Sequence, residues 1–175
     1  MIQFGTHFGN TMVKILDRNE YGLLSFSTML QTSNVLTSVD SAFAGYFNVY
    51  HLLNDFMNGT VYCFGCYSEK DKSFPDGIVW GMIDSSGYME CHLGFKNDFP
   101  IVKKMLCMQK TIDLIHELFP ECKGIVGYPP KGYRHVRLLL RKLNFKETES
   151  PFKFFGIDNT QDDCVKVCYE FGGKK

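Results

Sequence analysis

Two ionisable side chains, Glu90 and His92, lie two residues apart in an otherwise apolar segment, Tyr88 to Phe95. Such a segment predicts a β-strand, on which residues two apart share a face. A partly buried carboxylate, whose pKa rises on burial, or an imidazole with its ordinary pKa can accept a proton near neutral pH. The pair therefore indicates either a general base or a structural carboxylate–imidazole contact beside a polar groove.

Cys63 and Cys66 form the second group with suggestive spacing, because a C-x-x-C pair can bind a metal or exchange a disulfide. The pair lies in residues 60–68, which read as a strand, and residues three apart on a strand face opposite ways. No second cysteine pair has matching spacing. We therefore predict two core cysteines and no metal site.

The composition of the chain argues against several classes of protein. The 175 residues are 45% apolar and 22% charged, as in globular domains, and 19 basic residues balance 19 acidic ones. This balance argues against a global field that would hold the chain on nucleic acid or an anionic membrane. Seven scattered cysteines do not fit a secreted disulfide framework, and no segment approaches the ~20 apolar residues of a membrane span. We expect one domain over residues 1–175, located in the reducing cytoplasm.

The elements that must position these residues follow from apolar periodicity. We predict a strand near 11–16, a helix or irregular turn after Asn19, and an amphipathic helix that begins at Ser38 and stops at Asn58-Gly59. The apolar stripe of that helix comprises Val39, Phe43, Tyr46, Tyr50, Leu53 and Met57. Further along, the pattern predicts strands 60–68, 77–84, 88–95 and 123–128, helices 101–119 and 133–143, and two C-terminal strands, the last over 164–171.

This order of elements predicts an α/β (α+β) fold. Its sheet is mixed but mostly antiparallel, it is flanked by helices, and one strand pair is parallel because a helical crossover joins its two strands.

The order of elements over residues 88–146 resembles the cofactor-binding half of the GNAT acyltransferases, and a wider likeness covers about residues 60–171. Residues 90–95 look like the family's central strand, and residues 130–133 and 143–145 are similar to the start and end of its following helix. The resemblance implies an enzyme that moves an acyl group, usually acetyl, from coenzyme A (CoA) to an amine. It also implies that the fourth and fifth strands splay apart around the pantetheine arm of CoA.

The resemblance assigns proton transfer to Glu90 or His92, either of which would take a proton from the amine directly or through water. Backbone N–H groups near Gly94 and Phe95 would bind the donor and polarise its thioester carbonyl. The alternative for the carboxylate–imidazole pair, a structural contact, stays open at this point.

The helix over 133–143 differs from the family in two positions. Leu140 stands where many relatives carry the tyrosine that reprotonates the leaving thiolate, and Tyr133 stands where they often carry Asn. We expect Tyr133 to contact the cofactor, and the missing proton to come from Tyr133, Tyr128 or water. Asn144 replaces a glycine after this helix, a tolerable exchange because Asn also adopts left-handed dihedrals at a helix C-terminus.

The pyrophosphate-binding loop also departs from the family, whose members place glycines at the start of the long helix. Residues 96–104 contain no glycine, and Lys103 lies near the usual Arg position. Lys103 and Lys104 could bind phosphate as point charges, or they could form an ordinary solvated first turn. Asp98 would repel a pyrophosphate if it pointed inward.

A basic stripe is predicted on the helix over 133–143, because Arg134, Arg137 and Arg141 recur at steps of three and four. Lys131 and His135 lie beside it. The stripe, through Arg134 and Arg137, could receive the 3′-phosphate of CoA. An acidic partner or an ordinary solvated face are the alternatives.

The first functional hypothesis is an N-acetyltransferase that moves an acetyl group from acetyl-CoA to an amine by direct attack in a ternary complex. The acceptor could be a small molecule or a protein. The alternative is a catalytically inactive protein of the same fold that serves as a binding or assembly module. A third hypothesis is a nucleic-acid-binding or protein-binding module that acts through the arginine stripe. The balanced net charge argues against broad nucleic-acid binding.

Overall fold

The computed structural model describes residues 11–32, 49–155 and 161–172. The strands are β1 Met12–Ile15, β2 Tyr62–Tyr67, β3 Gly77–Ile83, β4 Tyr88–Phe95, β5 Gly124–Gly127, β6 Lys146–Phe155 and β7 Gln161–Glu170. The helices are α1 Glu20–Thr32, α2 Val49–Asn58, α3 Ile101–Leu118 and α4 Arg134–Lys142.

The strands form one seven-stranded sheet in the order β1-β2-β3-β4-β5-β7-β6. Every neighbouring pair is antiparallel except β4 and β5, which are parallel and joined through α3. A parallel pair needs such a crossover, because a short turn cannot return the chain to the starting edge of the sheet. The predicted fold class, the antiparallel meander of β2 to β4 and the single parallel pair are confirmed.

Two hydrophobic clusters cover the two faces of the sheet. One includes Cys66 and Met89 with Ile112 and Ile115 of α3, and leucines of α4 extend it. The other joins α1 and α2 to the opposite face, where Trp80 and Cys63 belong to it. Cys63 and Cys66 are therefore buried on opposite faces, as the period of two requires. No metal-binding group of His, Cys, Asp or Glu occurs in the described part of the chain.

Two helices end at a residue in the left-handed backbone conformation. Gly59, with φ of 89°, ends α2 in the left-handed region. Asn144, with φ of 67°, follows α4, where its N–H donates to the Arg141 carbonyl and the Phe145 N–H donates to the Leu140 carbonyl. This pair of bonds is the Schellman arrangement, so the predicted exchange of Gly for Asn at this position is confirmed.

The prediction for the α2 stripe is wrong in part. Ser38, Val39, Phe43 and Tyr46 lie outside the described residues, and Tyr50 is 77% exposed. Leu52 and Phe56, four residues apart, are the buried side chains instead. The apolar stripe of α2 is rotated relative to the predicted one, because several registers of its apolar residues fit a helical period. Within the described ranges, no helix is both long and apolar enough to span a membrane.

Candidate active site

A gap opens in the sheet between β4 and β5. The two strands pair only where Tyr88 to Glu90 meet Gly124 to Val126, whereas β4 stays paired with β3 as far as Phe95. Two consecutive prolines follow β5, and this segment turns toward β7: the Val165 N–H donates to the Pro129 carbonyl at 3.0 Å. Because β5 ends there, residues 91–95 of β4 have no β5 partner over most of their length. The predicted splay is therefore present.

The hydrogen-bonding register shows which backbone groups of β4 face this gap. Lys96 N–H donates to the Asp76 carbonyl and Asp84 N–H donates to the Tyr88 carbonyl, so alternate residues between them bond to β3. Gly94 belongs to that set, so its backbone N–H and C=O bond to β3. The backbone groups of Leu93 and Phe95 point the other way, into the gap. Of the two predicted backbone positions, the structure thus brings Phe95, rather than Gly94, to the gap.

Glu90 and His92 lie side by side on the face of β4 that α1 and α2 cover. His92 Nε2 is 3.7 Å from Glu90 Oε1, and the two side chains are 23% and 28% exposed. The imidazole also stacks on the buried Trp80 ring, with centroids 5.4 Å apart and planes inclined by 23°. Trp80 is the β3 partner of His92 in the register, so the stack fixes the imidazole beside the carboxylate. Sequence reasoning did not identify Trp80, because the pairing depends on the β3–β4 register.

The pKa shifts of Glu90 and His92 distinguish the two candidate bases. Burial lowers the pKa of His92 to about 4, so its imidazole is neutral at physiological pH and only weakly basic. Burial and the negative charge of Asp84 raise the pKa of Glu90 above its usual 4.5. A carboxylate with a raised pKa is the stronger base of the two, and Glu90 is therefore better suited than His92 to accept a proton.

Two tyrosines lie at the end of β5 beyond Glu90. Tyr128 and Tyr133 both pack against the buried Cys164. Tyr133 is the N-cap residue of α4 and stacks on His135 with ring centroids 6.0 Å apart. Burial and the charge of Glu90 raise the pKa of Tyr128, which places Tyr128 within electrostatic reach of the candidate base. The predicted Tyr133 thus lies with Tyr128 in a small cluster around Cys164.

The N-terminus of α3 lies beside the open end of the gap. Its N-cap is Pro100, no side chain caps its first N–H groups, and the first turn contains no acidic residue. Lys103 Nζ donates to the Ser68 carbonyl at 3.4 Å, and Lys104 Nζ lies 5.8 Å from the centroid of the Phe95 ring. Asp98 is exposed. The uncapped N–H groups and the two ammonium groups together favour an anion at this helix end.

A buried carboxylate, Asp76, holds the loop next to this helix end. Its oxygens accept hydrogen bonds from Ser68 N–H at 3.0 Å, Ser68 Oγ at 2.7 Å and Lys72 Nζ at 2.9 Å, and Lys96 Nζ lies 3.3 Å away. Burial alone would raise the pKa of Asp76, but the bonds from Lys72, Ser68 and Lys96 outweigh it and hold the pKa at about 2. Asp76 therefore connects the β2–β3 loop to the end of β4, where the candidate phosphate site begins.

The arginine stripe on α4 is largely engaged within the protein. Arg137 Nε and Nη2 donate to Glu147 of β6 at 3.0 and 2.9 Å, and its Nη1 donates to the Lys131 carbonyl at 2.9 Å. Arg141 Nη2 binds the same carboxylate at 2.6 Å. Arg134 is exposed and makes no ion pair with any described residue. Arg134 is thus the arginine of the stripe best placed for an external anion.

No protein-family model matches the sequence, and the search of curated proteins found no match. Solved structures do match. An N-acetyltransferase from Staphylococcus aureus has 13% identity and a TM-score of 0.68, covering 91% of this chain and 97% of its own. A ribosomal-protein-S5-alanine acetyltransferase from Vibrio fischeri has 11% identity and a TM-score of 0.67, covering 94% and 95%.

A third structure is the Campylobacter jejuni N-acetyltransferase PseH in complex with acetyl coenzyme A. It has 11% identity and a TM-score of 0.58, and the match covers 92% of this chain and all of that one. A Streptococcus pneumoniae acetyltransferase of the GNAT family matches at 10% identity with a TM-score of 0.69, over 93% of this chain and 99% of its own. At these identities the likeness concerns the fold, and the chain has the GNAT fold.

Proposed function

We propose that the protein is an N-acetyltransferase, which moves an acetyl group from acetyl-CoA to an amine by direct attack. The observation that carries this proposal is Glu90, a half-buried carboxylate beside the gap between β4 and β5. Within the described residues, no Lys or Arg forms an ion pair with it. A buried carboxylate without a cationic partner has a raised pKa, and this suits a base that must take a proton from an amine.

The groups around the gap fit the donor. The backbone N–H of Phe95, directed into the gap, can donate to the thioester oxygen as negative charge develops there, an effect of roughly 3 kcal/mol per donor in other enzymes. Glu90 accepts the proton that the amine nitrogen loses. As nitrogen bonds to the carbonyl carbon, the carbon–sulfur bond breaks and its electron pair leaves with sulfur. A thiol has a pKa near 8.5, so the thiolate can leave without an obligatory acid, and Tyr128, Tyr133 or water can reprotonate it.

The phosphates of the donor would lie at the N-terminus of α3. There the uncapped N–H groups, Lys103 and Lys104 favour an anion, although the loop has no glycine to let the backbone approach closely. Arg134, exposed at the start of α4, is the candidate for the 3′-phosphate. Arg137 would act indirectly, since Glu147 and the Lys131 carbonyl occupy its guanidinium group.

A GNAT-fold protein without catalytic activity, which would serve as a binding or assembly module, is the second candidate. Two observations favour it: the loop before α3 lacks glycine, and Leu140, where many relatives carry tyrosine, is buried in the core. This candidate predicts that acetyl-CoA does not bind.

Thermal unfolding with and without acetyl-CoA separates the two candidates. Acetyl-CoA at about a hundred times its dissociation constant should add roughly 2.7 kcal/mol to the free energy of unfolding and raise the midpoint by several degrees. No shift at millimolar acetyl-CoA would contradict the acetyltransferase proposal.

Replacement of the base tests the mechanism in the same preparation. Glu90→Gln should reduce acetyl transfer roughly 10²- to 10⁴-fold, measured as thiol release, while the thermal shift with acetyl-CoA stays nearly unchanged. Glu117→Gln, at an exposed position on α3, is the matched control and should retain wild-type turnover. Unchanged turnover of Glu90→Gln would remove Glu90 as the base.

A further inference from the structure

An aromatic side chain of the edge strand β6 contacts Tyr128, which lies beyond Glu90 at the end of β5. Phe152 of β6 is 54% exposed, so its ring is available to a ligand. Its ring meets the Tyr128 ring edge to face, with centroids 4.8 Å apart and planes inclined by 85°. We call these two rings the aromatic wall.

The register places the aromatic wall on the same face as Glu90. Glu90 pairs with Val126 of β5, and Tyr128 follows two residues later, so both project from one face. Cys164, on which Tyr128 packs, belongs to β7 and has the same parity as Cys168, the partner of Val126. The carboxylate and the wall therefore border one surface beside the gap.

We propose that the acceptor is a primary amine that carries an aromatic group a few bonds from its nitrogen. This inference rests on the proposed acetyltransferase function and names the substrate class. The ammonium group complements Glu90, which forms no ion pair with a Lys or Arg among the described residues and whose neighbour His92 is neutral, and the arm of the acceptor lies against Tyr128 and Phe152. An aromatic arm gains ring contacts there that an alkyl arm of the same charge lacks.

Two kinds of molecule offer this chemistry: a free arylalkylamine, and the N-terminus of a peptide whose first residue is aromatic. Phenethylamine and the peptide amide Phe-Ala-Ala-NH₂ represent them, and either result supports the proposal. Propylamine and spermidine are the comparison amines. Binding is measured by ligand-observed NMR titration, and turnover by thiol release from acetyl-CoA, so the wall is tested even if turnover is slow.

We expect at least one aromatic amine to bind about tenfold more tightly than propylamine, and Phe152→Ala to remove most of that preference. Phe152→Tyr should retain it, since the ring is kept. Phe74→Ala, at an exposed aromatic residue of the β2–β3 loop, is the matched control and should leave the preference unchanged. Because Phe152 is exposed, its truncation should change the thermal midpoint little.

Equal affinity for phenethylamine, the peptide and propylamine would overturn the proposal, as would a preference for spermidine. An unchanged preference in Phe152→Ala would overturn the role of the wall. Failure of the proposed function looks different: acetyl-CoA would give no thermal shift and no amine would release thiol, whereas the NMR comparison of amines would still report on the wall.

Discussion

Replacing Asp76 with Asn tests the architecture that supports the candidate phosphate site. Asp76 is 5% exposed, and it joins Ser68, Lys72 and Lys96 through one carboxylate. Its pKa of about 2, against an ordinary 3.8, corresponds to about 2 kcal/mol of stability at neutral pH. Because Asn keeps the size of the side chain but loses the charge, Asp76→Asn should lose about that amount. For a chain of this length, the midpoint of thermal unfolding should fall by roughly 4 to 8 °C.

The stabilisation by the Asp76 carboxylate depends on pH. The folded-state pKa of Asp76 lies below the unfolded one, so its contribution is fully present above about pH 4. It is lost as the pH falls from about 4 toward 2, where the carboxyl becomes protonated in both states. The difference in unfolding free energy between wild type and Asp76→Asn should therefore be constant from pH 5 to 7 and shrink below pH 4.

Urea unfolding followed by circular dichroism at several pH values measures this difference. Asp98→Asn is the matched control, because Asp98 is exposed and lies just before α3. It should change the stability by less than about 0.5 kcal/mol, as surface substitutions usually do. A difference for Asp76→Asn that persists undiminished at pH 3 would refute the electrostatic explanation, and so would a neutral-pH difference as small as that of the control.

Two further predictions concern the base and the end of α4. The acid limb of kcat/KM for acetyl transfer, followed from pH 3.5 to 8, should have an apparent pKa above the 4.5 that is usual for Glu, since burial and Asp84 raise the pKa of Glu90; a limb at or below 4.5 would contradict a base with a raised pKa. Asn144→Leu should lower the free energy of unfolding by about 1 kcal/mol, because the left-handed conformation at φ of 67° suits Asn and Gly but not a branched side chain. Asn144→Gly should retain the stability. Urea unfolding of both variants measures this difference, and equal losses in the two variants would contradict the prediction.

Much of the fold could be predicted from the sequence, because its determinants are local. The stop at Gly59 and the exchange of Gly for Asn144 follow from backbone preferences of single residues. Glu90 and His92 share a face because strands have a period of two. The parallel pair follows from a strand, a long helix and a second strand in succession. Each of these predictions needed no more than one segment of the chain.

The features that were missed depend on contacts between distant segments. Trp80 stacks on His92 because β3 and β4 meet in one particular register, and Glu147 binds Arg137 because β6 returns beneath α4. Asp76 gathers lysines from two other positions around one buried carboxylate. Sequence periodicity places a side chain on a face but does not say which partner lies opposite it. The arginine stripe could therefore be predicted, whereas the engagement of two of its three members could not.

The position of the candidate base follows from how β5 ends. Gly127 is followed by two residues before Pro130, and the Pro129 carbonyl and the Lys131 N–H both bond to β7. Proline has no N–H to continue a parallel ladder, and the pairing of β5 with β4 ends at Glu90 and Val126. Glu90 is therefore the last residue of β4 that is held on both sides, and the next backbone groups that face β5 are unpaired. In the proposed mechanism a carboxylate accepts the amine proton and unpaired N–H groups bind the thioester oxygen, and neither part depends on the glycines that the loop before α3 lacks. The missing glycines should therefore weaken the affinity for the donor more than the acetyl-transfer step itself.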